Sequence, residues 1–136
     1  MSLTARLQRG WDFGEQDAHS KIETLTYTNG SLIAIDVEVD PATSDEVVDA
    51  EIDVSALKAL YLESDQDVTI ETNQAGGSSG AADDTLALSA DVPRIWSITD
   101  GLALCPLTTD VDTLYVTNDG ATAANVKIRG IQDPTA

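Results

Sequence analysis

The chain has 136 residues, of which 42% are hydrophobic but only 4% aromatic, and its 24 acidic against 7 basic residues give a formal charge of −17. That length fits one domain with a core built mainly from Val, Ile, Leu and Ala. So negative a field repels phosphate backbones and anionic lipid, which argues against nucleic-acid and membrane partners.

Residues 1–20 differ from the rest and read as an N-terminal arm, with 21–136 as a β-sandwich domain. Arg6 and Arg9 precede the first acid, Asp12, and Trp11 and Phe13 follow closely. The arm shows no clean period, and its aromatic and basic side chains point to docking on a neighbour. Arg6, Gln8, Arg9 and Asp12 interrupt any apolar signal core, so the chain is expected to be made in a cytoplasm.

From Lys21 the pattern is that of β-strands. Ile22, Leu25 and Tyr27 alternate imperfectly with polar residues, and Asn29-Gly30 predicts a hairpin turn. The next strand sets Ile33, Ile35, Val37 and Val39 on one face, with Ala34, Asp36, Glu38 and Asp40 on the other. Pro41 to Glu46 reads as a loop, Val47 to Val54 as a strand, and Ser55 to Lys58 as a single helical turn. Leu60 to Glu63 and Val68 to Thr72 read as one hairpin around Asp65. Asn73 to Asp84 is a long Gly/Ser-rich loop. Thr85 to Ser89 and Arg94 to Ile98 are two more strands, and Asp100-Gly101 marks a turn. A second hairpin, Thr113 to Thr117 and Asn125 to Ile131, repeats the Leu-Tyr design of the first around Asn118-Asp119-Gly120. About eight to ten short strands with frequent turns predict an all-β, antiparallel fold, a sandwich or a barrel, of which the sandwich is the reading adopted.

Catalytic chemistry has little to stand on. His19 is the single histidine and lacks the partners that a triad or a zinc site needs. Cys105 is the single cysteine, set in an apolar stretch, and reads as a buried structural thiol. No serine lies in a Gly-x-Ser-x-Gly elbow, and the glycines at 76, 77 and 80 lack the lysine of a phosphate loop. The pairs Asp65/Asp67, Asp83/Asp84 and Asp110/Asp112 sit at turns, where Asp also bonds its own backbone, and none forms a calcium-loop motif. Glycosidase chemistry would want a carboxylate-lined cleft with aromatic platforms, and aromatics are scarce. The chain therefore reads as non-enzymatic, with no catalytic or metal residues and no cofactor.

Trp96 reads as a core residue ahead of a sugar-stacking platform. Tyr61 and Tyr115 fall on the faces opposite their neighbouring leucines and so point outward, as do Lys127 and Arg129. With Arg6, Arg9, Trp11 and Phe13 these are the candidate interface residues. Lys127 and Arg129 could meet Asp67, Thr69 and Glu71 across a subunit boundary.

The stretch DVSALKALYLESDQDVTIETN (53–73), then DTLALSADVPRIW (84–96) and CPLTTDVDTLYVTNDGATAANVKIRGIQDP (105–134), resembles small accessory virion proteins of tailed bacteriophages. The motifs are strand-and-turn patterns, and no functional residue carries over. The resemblance implies a jelly-roll-like sandwich that decorates or cements the capsid, commonly as a trimer where capsid subunits meet. The implied partner is the major capsid protein, and the implied location is the capsid surface of the virion. A tail, neck or fibre-attachment component, or a carbohydrate-binding or adhesion module, is the alternative.

Overall fold

The computed structural model describes residues 2–12, 18–74 and 81–135. Within them the regular elements are ten strands and three single 3-10 turns, at Val54–Ala56, Ile98–Asp100 and Leu102–Leu104. The strands are β1 (Leu3–Asp12), β2 (Ala18–Tyr27), β3 (Ser31–Val39), β4 (Thr43–Ile52), β5 (Leu57–Ser64), β6 (Val68–Thr72), β7 (Thr85–Leu88), β8 (Arg94–Ser97), β9 (Val111–Asn118) and β10 (Ala124–Gln132).

β1 and β2 form an antiparallel hairpin by themselves. The other eight strands make two four-stranded antiparallel sheets, ordered β3-β10-β5-β8 and β4-β9-β6-β7. Every connection between these eight strands changes sheet except β6 to β7. Eight strands so ordered are a jelly roll, the architecture anticipated for the sandwich.

Period-two patterning decides which side chains enter the sandwich. Leu60, Leu62, Val68, Ile70, Leu114, Val116, Val126 and Ile128 are all buried, as their alternation predicts. Each buried side chain of this size contributes about 1.5–3 kcal/mol. Trp96 joins the same core, and its indole N–H donates to the Gly101 carbonyl at 2.9 Å. Cys105 is likewise buried and unpaired.

The pairings differ from the sequence reading at three places. The two Leu-Tyr segments are not hairpins: β5 lies in one sheet and β6 in the other, and β9 and β10 are split in the same way. Alternation specifies the face that points inward, but an inward face is satisfied equally by folding back or by crossing the core. Asn29-Gly30 likewise closes no hairpin, because β2 pairs with β1 and β3 pairs with β10. The strand expected from Val47 starts earlier, at Thr43. Irregular pairing between Thr43 and Glu46, with Asp45 at φ 56°, conceals that start.

The arm is the fourth difference. Residues 3–12 pair one-to-one with residues 27–18, so the boundary drawn at residue 20 falls inside β2. Leu3, Ala5 and Leu7, with Glu23, Leu25 and Tyr27, are half-buried, whereas Thr4, Arg6, Gln8, Thr24 and Thr26 are exposed. The period of two is present in the sequence but short, and Arg9-Gly10 breaks it.

Two side chains fasten the corners where the chain changes sheet. Asn118 is fully buried. Its Nδ2 donates to the carbonyls of Val39 at 3.1 Å, Asp40 at 3.3 Å and Thr122 at 2.9 Å. Its Oδ1 accepts the Gly120 N–H at 3.0 Å, so one amide joins the β3–β4 and β9–β10 corners. Asp65, at the β5–β6 corner, accepts from the backbone N–H and the side-chain amide of Asn125, both at 2.8 Å. Those bonds hold its carboxyl below the usual range.

Candidate assembly surface

The outer face of the β3-β10-β5-β8 sheet is built in rows fixed by register. In one row Ile131 lies opposite Leu32 and Ala59, and Ala59 lies opposite Ser97. In the next, Arg129 lies opposite Ala34 and Tyr61. In the third, Lys127 lies opposite Asp36 and Glu63.

The first row points away from the core, yet Ile131, Ala59 and Ser97 are only 4%, 3% and 0% exposed. The hairpin covers them. Leu3 packs beside Gly30, where an added Cβ would come within 3.1 Å of it. At the far end of β1, the Arg9 guanidinium donates to both oxygens of Asp100 at 2.7 and 2.6 Å. β1 therefore crosses the sheet from the β3 side to the segment that follows β8. On β2, Glu23 accepts a hydrogen bond from the Thr99 hydroxyl. A cleft of about 140 Å³ remains beneath the hairpin, between Leu3 and Leu7 on one side and Leu32, Ala59, Ile131 and Tyr61 on the other.

Electrostatics follow from these contacts. The Arg9 fork and the Ser97 N–H hold the Asp100 carboxyl down at about 2. Hydrogen bonds from Ser97 and Thr99 lower Glu23 as well, and the Arg9 charge adds to them. The Tyr61 hydroxyl donates to Glu63 at 2.7 Å, which raises its pKa, and burial adds to the effect.

The candidate interface residues are thus distributed over several surfaces. Arg6 is exposed on the outward face of the hairpin, and Arg9 ties the hairpin to the body. Trp11 is placed on β1 by its backbone, but its side chain, like the whole of Phe13, lies outside the described residues. Tyr61, Lys127 and Arg129 share the outer face of one sheet. Tyr115 lies on the outer face of the other, opposite Val47 and Glu71, and is buried there. Arg129 Nη2 donates to both Asp36 oxygens at 3.0 and 2.9 Å, and Lys127 sits 3.8 Å from Glu63, so both cations are paired within the chain. Thr69 and Glu71 project from the opposite sheet, while Asp67 accepts the Ala90 N–H at 2.8 Å.

The remaining acidic turns are also spent on backbone and side-chain donors. Asp84 accepts from the N–H and hydroxyl of Thr108 at 2.8 and 2.7 Å, and Asp110 accepts the Val54 N–H at 2.9 Å. Among the described residues no three His, Cys, Asp or Glu side chains converge. His19 lies on β2 by its backbone, its side chain falling outside the described residues. The long loop expected at 73–84 is described only at 73–74 and 81–84.

Nothing in the sequence singles out Asn118 and Asp100, which organise the corners and the hairpin, for those roles. The Asn-Asp-Gly signal at 118–120 marks a tight corner correctly, but it does not say that the asparagine turns inward.

No family model matches the chain, and no curated protein matches it. A solved structure from Bacillus endospore appendages, which form a family of disulfide-linked pili, is 20% identical with a TM-score of 0.49, covering 75% of this chain and 83% of that one. A likeness that distant carries no argument about function.

Proposed function

We propose that the chain is a non-enzymatic structural protein of a tailed-phage virion, which binds the outer surface of the capsid and stabilises it. The supporting observation is the hairpin strapped over one sheet. Its outward positions from Thr4 to Gln8 on β1 and from Ser20 to Thr26 on β2 carry no carboxylate, on a chain with a charge of −17; Asp12 comes only at the far end of β1. That face is where a neighbour can approach without desolvating acids. The patterns resembling accessory virion proteins run from Asp53 to Pro134, which spans β5 to β10. A protein that binds only the assembled shell shifts the equilibrium towards it by mass action, and many copies add through multivalency.

The test is copy number on purified particles, together with the thermal stability of shells with and without the protein. Hundreds of copies and a lowered disruption temperature on its removal are expected. A dozen copies or fewer would point instead to a vertex, neck or tail part.

A further inference from the structure

The four edges of the sandwich are all defended against strand addition. β3 presents Asp36 and Glu38 on its exposed face, and β4 is broken by irregular pairing at Thr43/Glu46 and Asp49/Ile52. β7 and β8 are four residues each, and Pro93 precedes β8. Acidic side chains, bulges, short strands and proline are the devices that blunt an edge.

The hairpin lacks the bulges, the short strands and the proline; the charged side chains of β2 are Lys21 and Glu23, and Glu23 is held by the Thr99 hydroxyl of its own chain. β2 is ten residues long, pairs with β1 in unbroken register and contains no proline. Among the described residues its other edge has no backbone partner. The β1 edge lies over the chain's own sheet beside Tyr61 and Arg129, which leaves β2 as the open side. A two-stranded hairpin is marginal by itself and gains from further strands.

We infer that the β2 edge pairs with the β2 edge of a second copy, antiparallel about a two-fold axis at Ile22, to give a four-stranded sheet. Register selects that axis. With Ile22 opposite Ile22, Lys21 faces Glu23 of the other copy and Ser20 faces Thr24, whereas an axis at Glu23 would set like charges opposite each other. Ile22 is 49% exposed in the single chain, an apolar residue at the middle of an open edge. The outward positions of β2, Ser20, Ile22, Thr24 and Thr26, supply no carboxylate to oppose its own copy, so the −17 charge does not forbid the contact. This pairing uses the edge of the hairpin and is independent of any capsid.

The experiment uses the full chain without particles. Sedimentation velocity and light scattering over a range of concentrations should show a dimer, and Ile22→Asp should raise its dissociation constant roughly tenfold or more. A parallel set carries Cys105→Ser. There Ile22→Cys should cross-link into dimers under mild oxidation, while Gln8→Cys, on the outer strands of the four and about 14 Å from its counterpart, should not. A wild-type monomer at all concentrations, a dimer indifferent to Ile22→Asp, or cross-linking through Gln8→Cys but not Ile22→Cys would each overturn the assignment. Because no shell is present, failure here leaves the capsid-binding proposal to its own test.

Discussion

The Arg9 guanidinium and the Asp100 carboxylate meet in a two-pronged ion pair across 91 residues of sequence, at 2.7 and 2.6 Å. Arg9 is 43% exposed and Asp100 22%, so the pair is partly solvated, and pairs of that kind are worth at most about 1 kcal/mol. The contact fixes where the hairpin ends rather than holding the whole molecule together.

Acid should release that end. The Asp100 carboxyl is held at about 2 against an ordinary 3.8, and Glu23 is lowered in the same direction. A depressed acid contributes its stabilisation in full above the unfolded value and loses it as the pH falls through the folded one. Docking should therefore survive at pH 4 and weaken towards pH 2, with the amide signals of Leu7 and Leu25 reporting it by NMR. Unchanged signals across that window would refute the linkage.

Truncating Asn118 to Ala should lower stability by roughly 2–4 kcal/mol, because several buried backbone groups lose their partner together. The denaturant midpoint should fall with an unchanged slope. Asn118→Asp should be as damaging, since it keeps the acceptor, removes all three donated bonds and buries a carboxyl.

Gly130 lies opposite Leu60 in the β10–β5 ladder, and a Cβ there would come within 2.9 Å of the Ala59 carbonyl and 3.1 Å of Ile33. Gly130→Ala should cost about 1–3 kcal/mol by overpacking, read from the thermal midpoint. A neutral or stabilising alanine would mean that β10 shifts freely at this point.

Trp96→Phe retains most of the buried ring and loses the bond to Gly101, for an expected cost of about 1–2 kcal/mol, against about 3–5 for Trp96→Ala. Cys105 offers a second probe of the same region, since burial pushes its thiol up. It should resist a thiol reagent near neutral pH until denaturant is added. Prompt labelling of the folded chain would contradict its burial.

What the sequence made legible was the facing of side chains. Val126 and Ile128 alternate with Lys127 and Arg129, and the structure places them in and out accordingly. What it concealed was partnership. The connection Asp65-Gln66-Asp67 looks the same whether the chain turns back or crosses to the other sheet, because only distant strands decide between them. The hairpin is hidden for a different reason: Leu3, Ala5 and Leu7 make too short an alternation to stand out, and the sheet that buries them is assembled from residues 31 to 132. Asn118 was legible as a turn former but not as a buried hub, since the carbonyls it serves lie 78 and 79 residues earlier in the chain.

β10 occupies the interior of its sheet, with β3 on one side and β5 on the other. Those neighbours share no ladder of their own while β10 is missing. During synthesis the edges of β3 and β5 that β10 will pair therefore stay open until residue 132 has left the ribosome. Closure depends on contacts between segments far apart in sequence, which makes it slow. The heavy negative charge acquires a kinetic use here: it keeps unfinished chains apart during the interval in which they are most prone to aggregate.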